Sequence, residues 1–208
     1  SGYMGDVDTG KAILAAVDAV RKANPRALYL CDPVMGDIPE GVYVQQGLPD
    51  FMRAEAVPRA DIILPNVFEA RFLAAGSFRN TTEPFDAAEI LASLHGLGPD
   101  TVIVSSHLSA DGQNIGFLAS DRSETWSMLT PRIPFDRPPK GSGDLASALF
   151  LGNYLATMNL GTALERMANS LHGVLSATYS SGSTNLAIIG AQEVIAVPGN
   201  VYRAEKMM

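Results

Sequence analysis

A glycine turn that leads into an apolar helix pattern is the part of this sequence best suited to chemistry. The turn is Gly141-Ser142-Gly143, and Asp144 follows it directly. Small residues let the backbone bend and present N–H groups, and a helix start adds donors and positive dipole potential. Asp144 could take a proton from an attacking hydroxyl while the amides bind a transferring phosphoryl group. Alternatively, Asp144 is an ordinary helix N-cap. The helix pattern consists of Leu145, Ala148, Leu149, Leu151 and Leu155.

A second candidate motif pairs an amide with a carboxylate. Asn66 and Glu69 lie three residues apart at a predicted helix start, so both face the same side of the helix. Hard oxygen ligands of this kind suit Mg²⁺, which usually keeps several waters and is shared with substrate phosphates. The same spacing fits a capping box equally well, with Asn66 as N-cap and Glu69 as the third helical residue. Both interpretations stay open.

Polar residues also follow two other predicted strands. Asp32 and Asp37 come after a buried strand, where an acid has little structural purpose beyond capping a turn, so Asp32 indicates a metal or phosphate site. Ser105 and Ser106 could donate hydroxyls to phosphate oxygens, although two serines in an exit turn are also unremarkable. Ligands collect at the carboxyl ends of strands in open α/β sheets, so we expect all these motifs, with Asp144, at one edge.

The remaining reactive residue types favour structural roles. Cys31 is the single cysteine and has apolar neighbours, which predicts a buried structural thiol. His95, His107 and His172 are far apart and follow no metal-ligand spacing, so packing or surface positions are expected. Lys140 precedes the glycine turn and is either a solvated loop lysine or a phosphate contact.

Strands and helices alternate along most of the chain, which predicts an α/β fold with a mostly parallel central sheet and helices on both faces. We expect one domain over residues 1–208. The first predicted helix has Asp8 or Thr9 as its N-cap and ends near residue 24, and the other predicted helices span 48–57, 67–75, 86–97, 144–157 and 161–179. The predicted strands are 27–31, 61–64 and 101–105, a hairpin of 114–119 with 125–129, and a last strand at 186–189.

Composition excludes several classes of partner. The net charge is −7 over 208 residues and the basic residues do not cluster. The sequence therefore lacks the basic patch that binding to a nucleic acid or an anionic membrane requires. No apolar run approaches the roughly 18 residues of a membrane helix, and no signal segment opens the chain. A single cysteine suits a reducing compartment, so a cytoplasmic location is expected.

The motifs together resemble the ribokinase-like superfamily and, within it, the pyridoxal kinases. The segments 32–37, 60–69, 102–106 and 141–145 occur in that family's order, and Gly2-Tyr3 and residues 191–193 are similar to its vitamin B6 branch. The resemblance covers essentially the whole chain. It implies ATP-dependent phosphorylation of the 5′-hydroxymethyl group of pyridoxal, with Mg²⁺ required.

The resemblance also implies roles for individual residues. Asp144 would be the base for the substrate hydroxyl, and the amides of Gly141, Ser142 and Gly143 would form an anion hole. Asn66 and Glu69 would act on Mg²⁺, partly through water, with Asp32 near metal and phosphates. Ser105 and Ser106 would contact the ATP phosphates, and Tyr3 would lie against the pyridine ring. The loop 36–47 resembles the family's flap over the active site.

By the same resemblance, the first strands and helix of the fold should precede Ser1, so the chain is expected to be N-terminally truncated and to lack a full acceptor pocket. The whole enzyme is expected to be a homodimer. The alternatives are a sibling kinase for hydroxymethylpyrimidine or a sugar, and a non-catalytic nucleotide-binding remnant.

Overall fold

The computed structural model describes residues 1–78 and 86–207 as an α/β fold. The helices are α1 Val7–Ala23, α2 Leu48–Phe51, α3 Val67–Ala75, α4 Ala87–Gly96, α5 Ser142–Thr157, α6 Leu160–Ser180 and α7 Gln192–Ala196. The strands are β1 Leu30–Cys31, β2 Gly36–Asp37, β3 Gly41–Val42, β4 Ile62–Ile63, β5 Thr101–Leu108, β6 Asn114–Ser120, β7 Thr125–Pro131 and β8 Glu205–Met207.

These elements form two compact units. The first contains residues 1–105 and 120–122, and the second contains residues 106–119 and everything described after 122. The prediction of a single domain stays a prediction. In the part of the chain that is described, no helix combines the length and the apolar character that a membrane span requires.

The first unit is built on parallel strands in the order β1-β4-β5. Leu30 pairs with Ile62, which in turn pairs with Thr101. These strands are buried, as expected for parallel strands covered on both faces, and they therefore read as continuous apolar runs. The predicted class, a mostly parallel central sheet flanked by helices, is confirmed.

Two helix predictions in the first unit need correction. Helix α1 has Asp6 as its N-cap, two or three residues earlier than the predicted cap at Asp8 or Thr9, because the side chain of Asp6 accepts from the backbone N–H of Thr9 (2.7 Å). The predicted helix 48–57 divides into α2, a π-helix over Met52–Ala56 and a 3₁₀ turn over Val57–Arg59. Pro58 lacks the N–H that an α-helical continuation needs, so the segment ends in a tighter turn.

The second unit contains the two strands of the predicted hairpin, β6 and β7, which are neighbours in the sheet. Strand β8 pairs antiparallel with β7, from Ser127 with Glu205 to Thr125 with Met207. The predicted strand at 186–189 is wrong, because Ile188 donates back to the carbonyl of Leu186 (2.8 Å) and the segment turns.

A buried amide holds the segment before β8. Asn169 of α6 accepts from the backbone N–H groups of Val201 and Tyr202 (both 3.1 Å) and donates to the carbonyl of Tyr202 (2.9 Å). The carboxylate of Glu165, one turn earlier, accepts from Arg203 and from the N–H of Ala204. Side chains of α6 therefore fix the place where the last strand begins, which no local pattern in residues 201–207 indicates.

Candidate functional site

Asn66 and Glu69 form a complete capping box at the start of α3. The Oδ1 atom of Asn66 accepts from the N–H of Glu69 (2.9 Å), and Oε2 of Glu69 accepts from the N–H of Asn66 (2.9 Å). The helix ends at Gly76, whose left-handed backbone closes the last turn. The capping interpretation of the spacing is confirmed, and the bounds of this helix match the prediction.

The same two side chains also bind the loop that follows β1. Oε1 of Glu69 accepts from the N–H groups of Met35 (2.8 Å) and Gly36 (3.4 Å). Nδ2 of Asn66 donates to the carbonyl of Gly36 (2.8 Å). Sequence analysis did not anticipate these contacts, because the partners lie about thirty residues earlier in the chain. The glycine in the segment 32–37 is the one available signal.

Two carboxylates are buried in this region, since Glu69 is 3% exposed and Asp32 is 5% exposed. Burial, with a smaller contribution from the negative charge of Asp32, raises the pKa of Glu69 to about 8 against the opposing effect of its three backbone donors. A cation between or beside the two groups would favour their charged forms. The region therefore has the electrostatic character of a cation site.

Mg²⁺ fits this donor set as an ion shared with phosphates. Within residues 1–78 and 86–207, no cluster of three or more His, Cys, Asp or Glu side chains is arranged to hold a metal. The oxygens in this region are the carboxylates of Asp32 and Glu69 and the amide oxygen of Asn66. Those of Glu69 and Asn66 already accept backbone hydrogen bonds, so a metal would use their remaining lone pairs. Mg²⁺ commonly takes one or two carboxylates and fills its other positions with water and substrate phosphate.

Tyr43 is a neighbour of the acidic residues that the sequence did not single out. Its N–H donates to the carbonyl of Met35 (3.2 Å), and its side chain is 49% exposed. Burial, together with the nearby negative charges of four carboxylates, raises the pKa of the Tyr43 phenol to about 12. These carboxylates are Glu69, Asp37, Asp32 and Glu40.

The two serines lie inside a strand and not at its end. Strand β5 continues to Leu108, which corrects the predicted end at residue 105. Ser105 pairs with Asn66 in a parallel bridge, and its N–H donates to the carbonyl of Pro65 (2.9 Å). Ser106 is exposed and has a left-handed backbone (φ 60°), and it begins the second unit. Only Ser105 is shown beside the capping box.

In the second unit, helix α5 starts two residues earlier than predicted. Gly141 is the N-cap, with a left-handed backbone (φ 90°), and Asp144 is the third helical residue. The interpretation of Asp144 as an N-cap is therefore wrong. No side chain caps this helix start, so the first-turn amides point outward without a side-chain acceptor. Asp144 and Lys140 are both exposed.

The opening residues run beside β1. The amino group of Ser1 donates to the carbonyl of Leu30 (2.8 Å), and the N–H of Asp32 donates to the carbonyl of Ser1 (2.9 Å). Met4 is fully buried, whereas the ring of Tyr3 is 60% exposed. Tyr3 is therefore held by its neighbours and presents its side chain to solvent.

The structural roles expected for the other reactive residues are confirmed where the structure tests them. Cys31 is buried, and burial raises its pKa to about 11. His95 is buried and hydrogen bonded to the carbonyl of Pro99 (3.0 Å) and to Ser120 (3.1 Å). His107 and His172 are partly buried, which lowers the pKa of each.

Comparisons with known proteins agree on one family. The sequence model of a family described as phosphomethylpyrimidine kinase matches residues 4–188. Pyridoxal kinase PdxY of Rubrobacter xylanophilus is 43% identical over 201 residues, which cover 95% of this chain and 68% of the relative. The enzyme of the same name in Deinococcus radiodurans is 37% identical, over 100% of this chain and 70% of the relative. A pyridoxal kinase of Leishmania donovani, solved with ADP and pyridoxine, has the same fold at 24% identity (TM-score 0.83; 100% and 72% covered).

Proposed function

The chain belongs to the phosphomethylpyrimidine kinase family, and we propose that it transfers a phosphoryl group from ATP to the 5′-hydroxymethyl group of pyridoxal. Curated relatives named pyridoxal kinase match 95–100% of the chain at 37–43% identity, which supports this acceptor. The observation that carries the proposal is the start of α5, where amides without a side-chain cap adjoin a carboxylate. Those are the two groups that phosphoryl transfer to a hydroxyl needs.

In the proposed reaction, the carboxylate of Asp144 accepts the proton of the substrate hydroxyl. The hydroxyl oxygen then forms a bond to the γ-phosphorus as the bond to the bridging oxygen breaks, and ADP leaves. The N–H groups of Gly141, Ser142 and Gly143 stabilise the negative charge on the transferring group. An exposed aspartate in the first turn can reach a substrate oxygen without rearrangement of the helix.

Asp32, Asn66 and Glu69 would hold Mg²⁺, which neutralises phosphate charge when it is bound. Ser105 and Ser106 are proposed to donate hydroxyls to ATP phosphates, and Tyr3 is proposed to lie against the pyridine ring. Burial of Asp32 and Glu69 beside one another supports the metal assignment. The homodimer and the cytoplasmic location stay predictions.

A second candidate acceptor is hydroxymethylpyrimidine, because the matching family model carries the name phosphomethylpyrimidine kinase. Both acceptors present a hydroxymethyl group on a nitrogen heterocycle, so the same base and anion hole would serve either. The acceptor site, and not Asp144, would distinguish them.

The test is a kinase assay on the purified chain with ATP and Mg²⁺. The acceptors are pyridoxal, pyridoxine, pyridoxamine, hydroxymethylpyrimidine and ribose, and ADP and phosphorylated product are both measured. We expect pyridoxal to give the highest kcat/KM. A higher value for hydroxymethylpyrimidine would replace pyridoxal as the substrate. ADP formation without any phosphorylated acceptor would contradict the assignment as a kinase of this class.

A further inference from the structure

The hairpin formed by β2 and β3, residues 36–42, is attached to α3 through the side chains at the start of that helix. Gly36 pairs with Val42 and Asp37 with Gly41, and these are the only paired positions in the two short strands. A two-stranded hairpin of this size is not stable alone in water. Its position must therefore come from contacts at its base.

Those contacts converge on Gly36. Its N–H and that of Met35 donate to Glu69, and its carbonyl accepts from Asn66. A Cβ atom at Gly36 would lie 2.6 Å from the carbonyl oxygen of Gly41 and 2.6 Å from the ring of Phe68. Gly36 is therefore packed tightly between β3 and α3, and this packing fixes the position of the base of the hairpin.

We propose that Glu69 and Asn66 are positioning residues that fix the hairpin, and with it the segment 32–37, relative to α3. This inference rests on the proposed function, because the segment carries Asp32 and Asp37 at its two ends. Both oxygens of Glu69 and both polar atoms of Asn66 already bind backbone groups. Besides any contact with Mg²⁺, they therefore act on the reaction through the placement of the acidic segment, and a displacement of about 1 Å can cost a reaction about 100-fold.

The variant Asn66→Asp separates the positioning role from helix capping and from Mg²⁺ binding. Aspartate is as good an N-cap as asparagine, so the helix start survives. An added carboxylate should keep or strengthen Mg²⁺ binding. The variant loses the donor to the carbonyl of Gly36 and adds a negative charge there. Glu89→Gln is the matched control, since Glu89 is also the third residue of a capped helix, α4, but is exposed.

The measurement is amide hydrogen exchange over residues 35–43 in Mg²⁺-free buffer, followed by mass spectrometry. We expect Asn66→Asp and Glu69→Gln to speed exchange there at least about fivefold, because each removes a hydrogen bond that holds this segment to α3. Residues 146–156 of α5 and the control variant should be unchanged. Exchange within twofold of wild type in both variants, or an equal rise in α5, would overturn the proposal.

A kinase titration with Mg²⁺ provides the second readout. Asn66→Asp should lower kcat/KM about tenfold without raising the Mg²⁺ concentration needed for half activity. The reason is that losing one positioning hydrogen bond weakens the alignment of the site and leaves the affinity for the metal unchanged. A threefold higher Mg²⁺ requirement with normal exchange would show that Asn66 acts only as a metal ligand and would refute the positioning role. If wild type phosphorylates no acceptor, the proposed function fails while the exchange result still decides the attachment of the hairpin.

Discussion

The burial of Glu69 predicts that the metal-free protein loses stability as the pH rises above 5. Its pKa is raised from 4.5 to about 8 in the folded chain. Between these values the unfolded chain has released this proton and the folded chain still holds it. Stability falls with pH wherever the folded state binds more protons, so the free energy of unfolding should decrease through this window and level off above about pH 8.

The size of the effect follows from the same pKa. A full proton difference corresponds to about 1.4 kcal/mol per pH unit, so the fall from pH 5 to 7 should approach about 3 kcal/mol. This is a large part of the roughly 5–15 kcal/mol that stabilises a typical domain. The three backbone donors to Glu69 oppose the shift and are already included in the pKa of about 8, so they set the upper end of the window and leave the slope at about 1.4 kcal/mol per pH unit.

The assay is urea denaturation at pH 5, 6, 7 and 8 after removal of metals with EDTA. Glu69→Gln cannot titrate, so subtracting its stability from that of wild type cancels the other ionisable groups. The difference should shift steadily between pH 5 and 8 in favour of the variant, whereas Glu89→Gln should stay parallel to wild type. Parallel curves for wild type and Glu69→Gln would refute the reasoning. Saturating Mg²⁺ should flatten the wild-type slope if the ion binds there.

Three further predictions concern single side chains. Asp144→Asn should lower kcat about 10²–10⁴-fold with ATP affinity kept, measured by steady-state kinetics and nucleotide titration, while Asp8→Asn, in the first turn of α1, should change neither. Gly141→Ala should lower stability by about 1 kcal/mol, measured by urea denaturation, because φ is 90° there; an unchanged midpoint would contradict this. Cys31 should react with a thiol reagent only after denaturation, and fast labelling of the native chain would show that it is accessible.

The parts of the fold that sequence predicts well are those whose determinants are local. Helix α3 was predicted to the residue because Asn66 and Glu69 cap one end and Gly76 closes the other. The start of α5 was missed by two residues, because Gly141 takes the N-cap position through its own backbone and leaves no side-chain signal. The shift matters for function, since it moves Asp144 from a capping role to the exposed face of the first turn.

The parts that sequence could not predict depend on distant contacts. The attachment of the segment 32–37 to α3 joins residues that are thirty positions apart. Strand β8 has an exposed, charged sequence, whereas the apolar residues 186–189 have the composition of a strand and form a turn. Composition favoured residues 186–189 over β8. Pairing with β7 depends instead on where the chain is held, and the side chains of α6 hold the segment directly before β8.

The bonds from Asn169 and Glu165 to residues 201–204 place the last strand directly from α6. The chain between α6 and residue 201 is itself held to α6 near Ala187 and Val194, but Gly199 and Asn200, just before the anchored segment, are exposed. Lengthening a connection costs little loop-closure entropy. A peptide tag or reporter inserted between Gly199 and Asn200 should therefore leave the edge of β7 covered and protected from pairing with other chains.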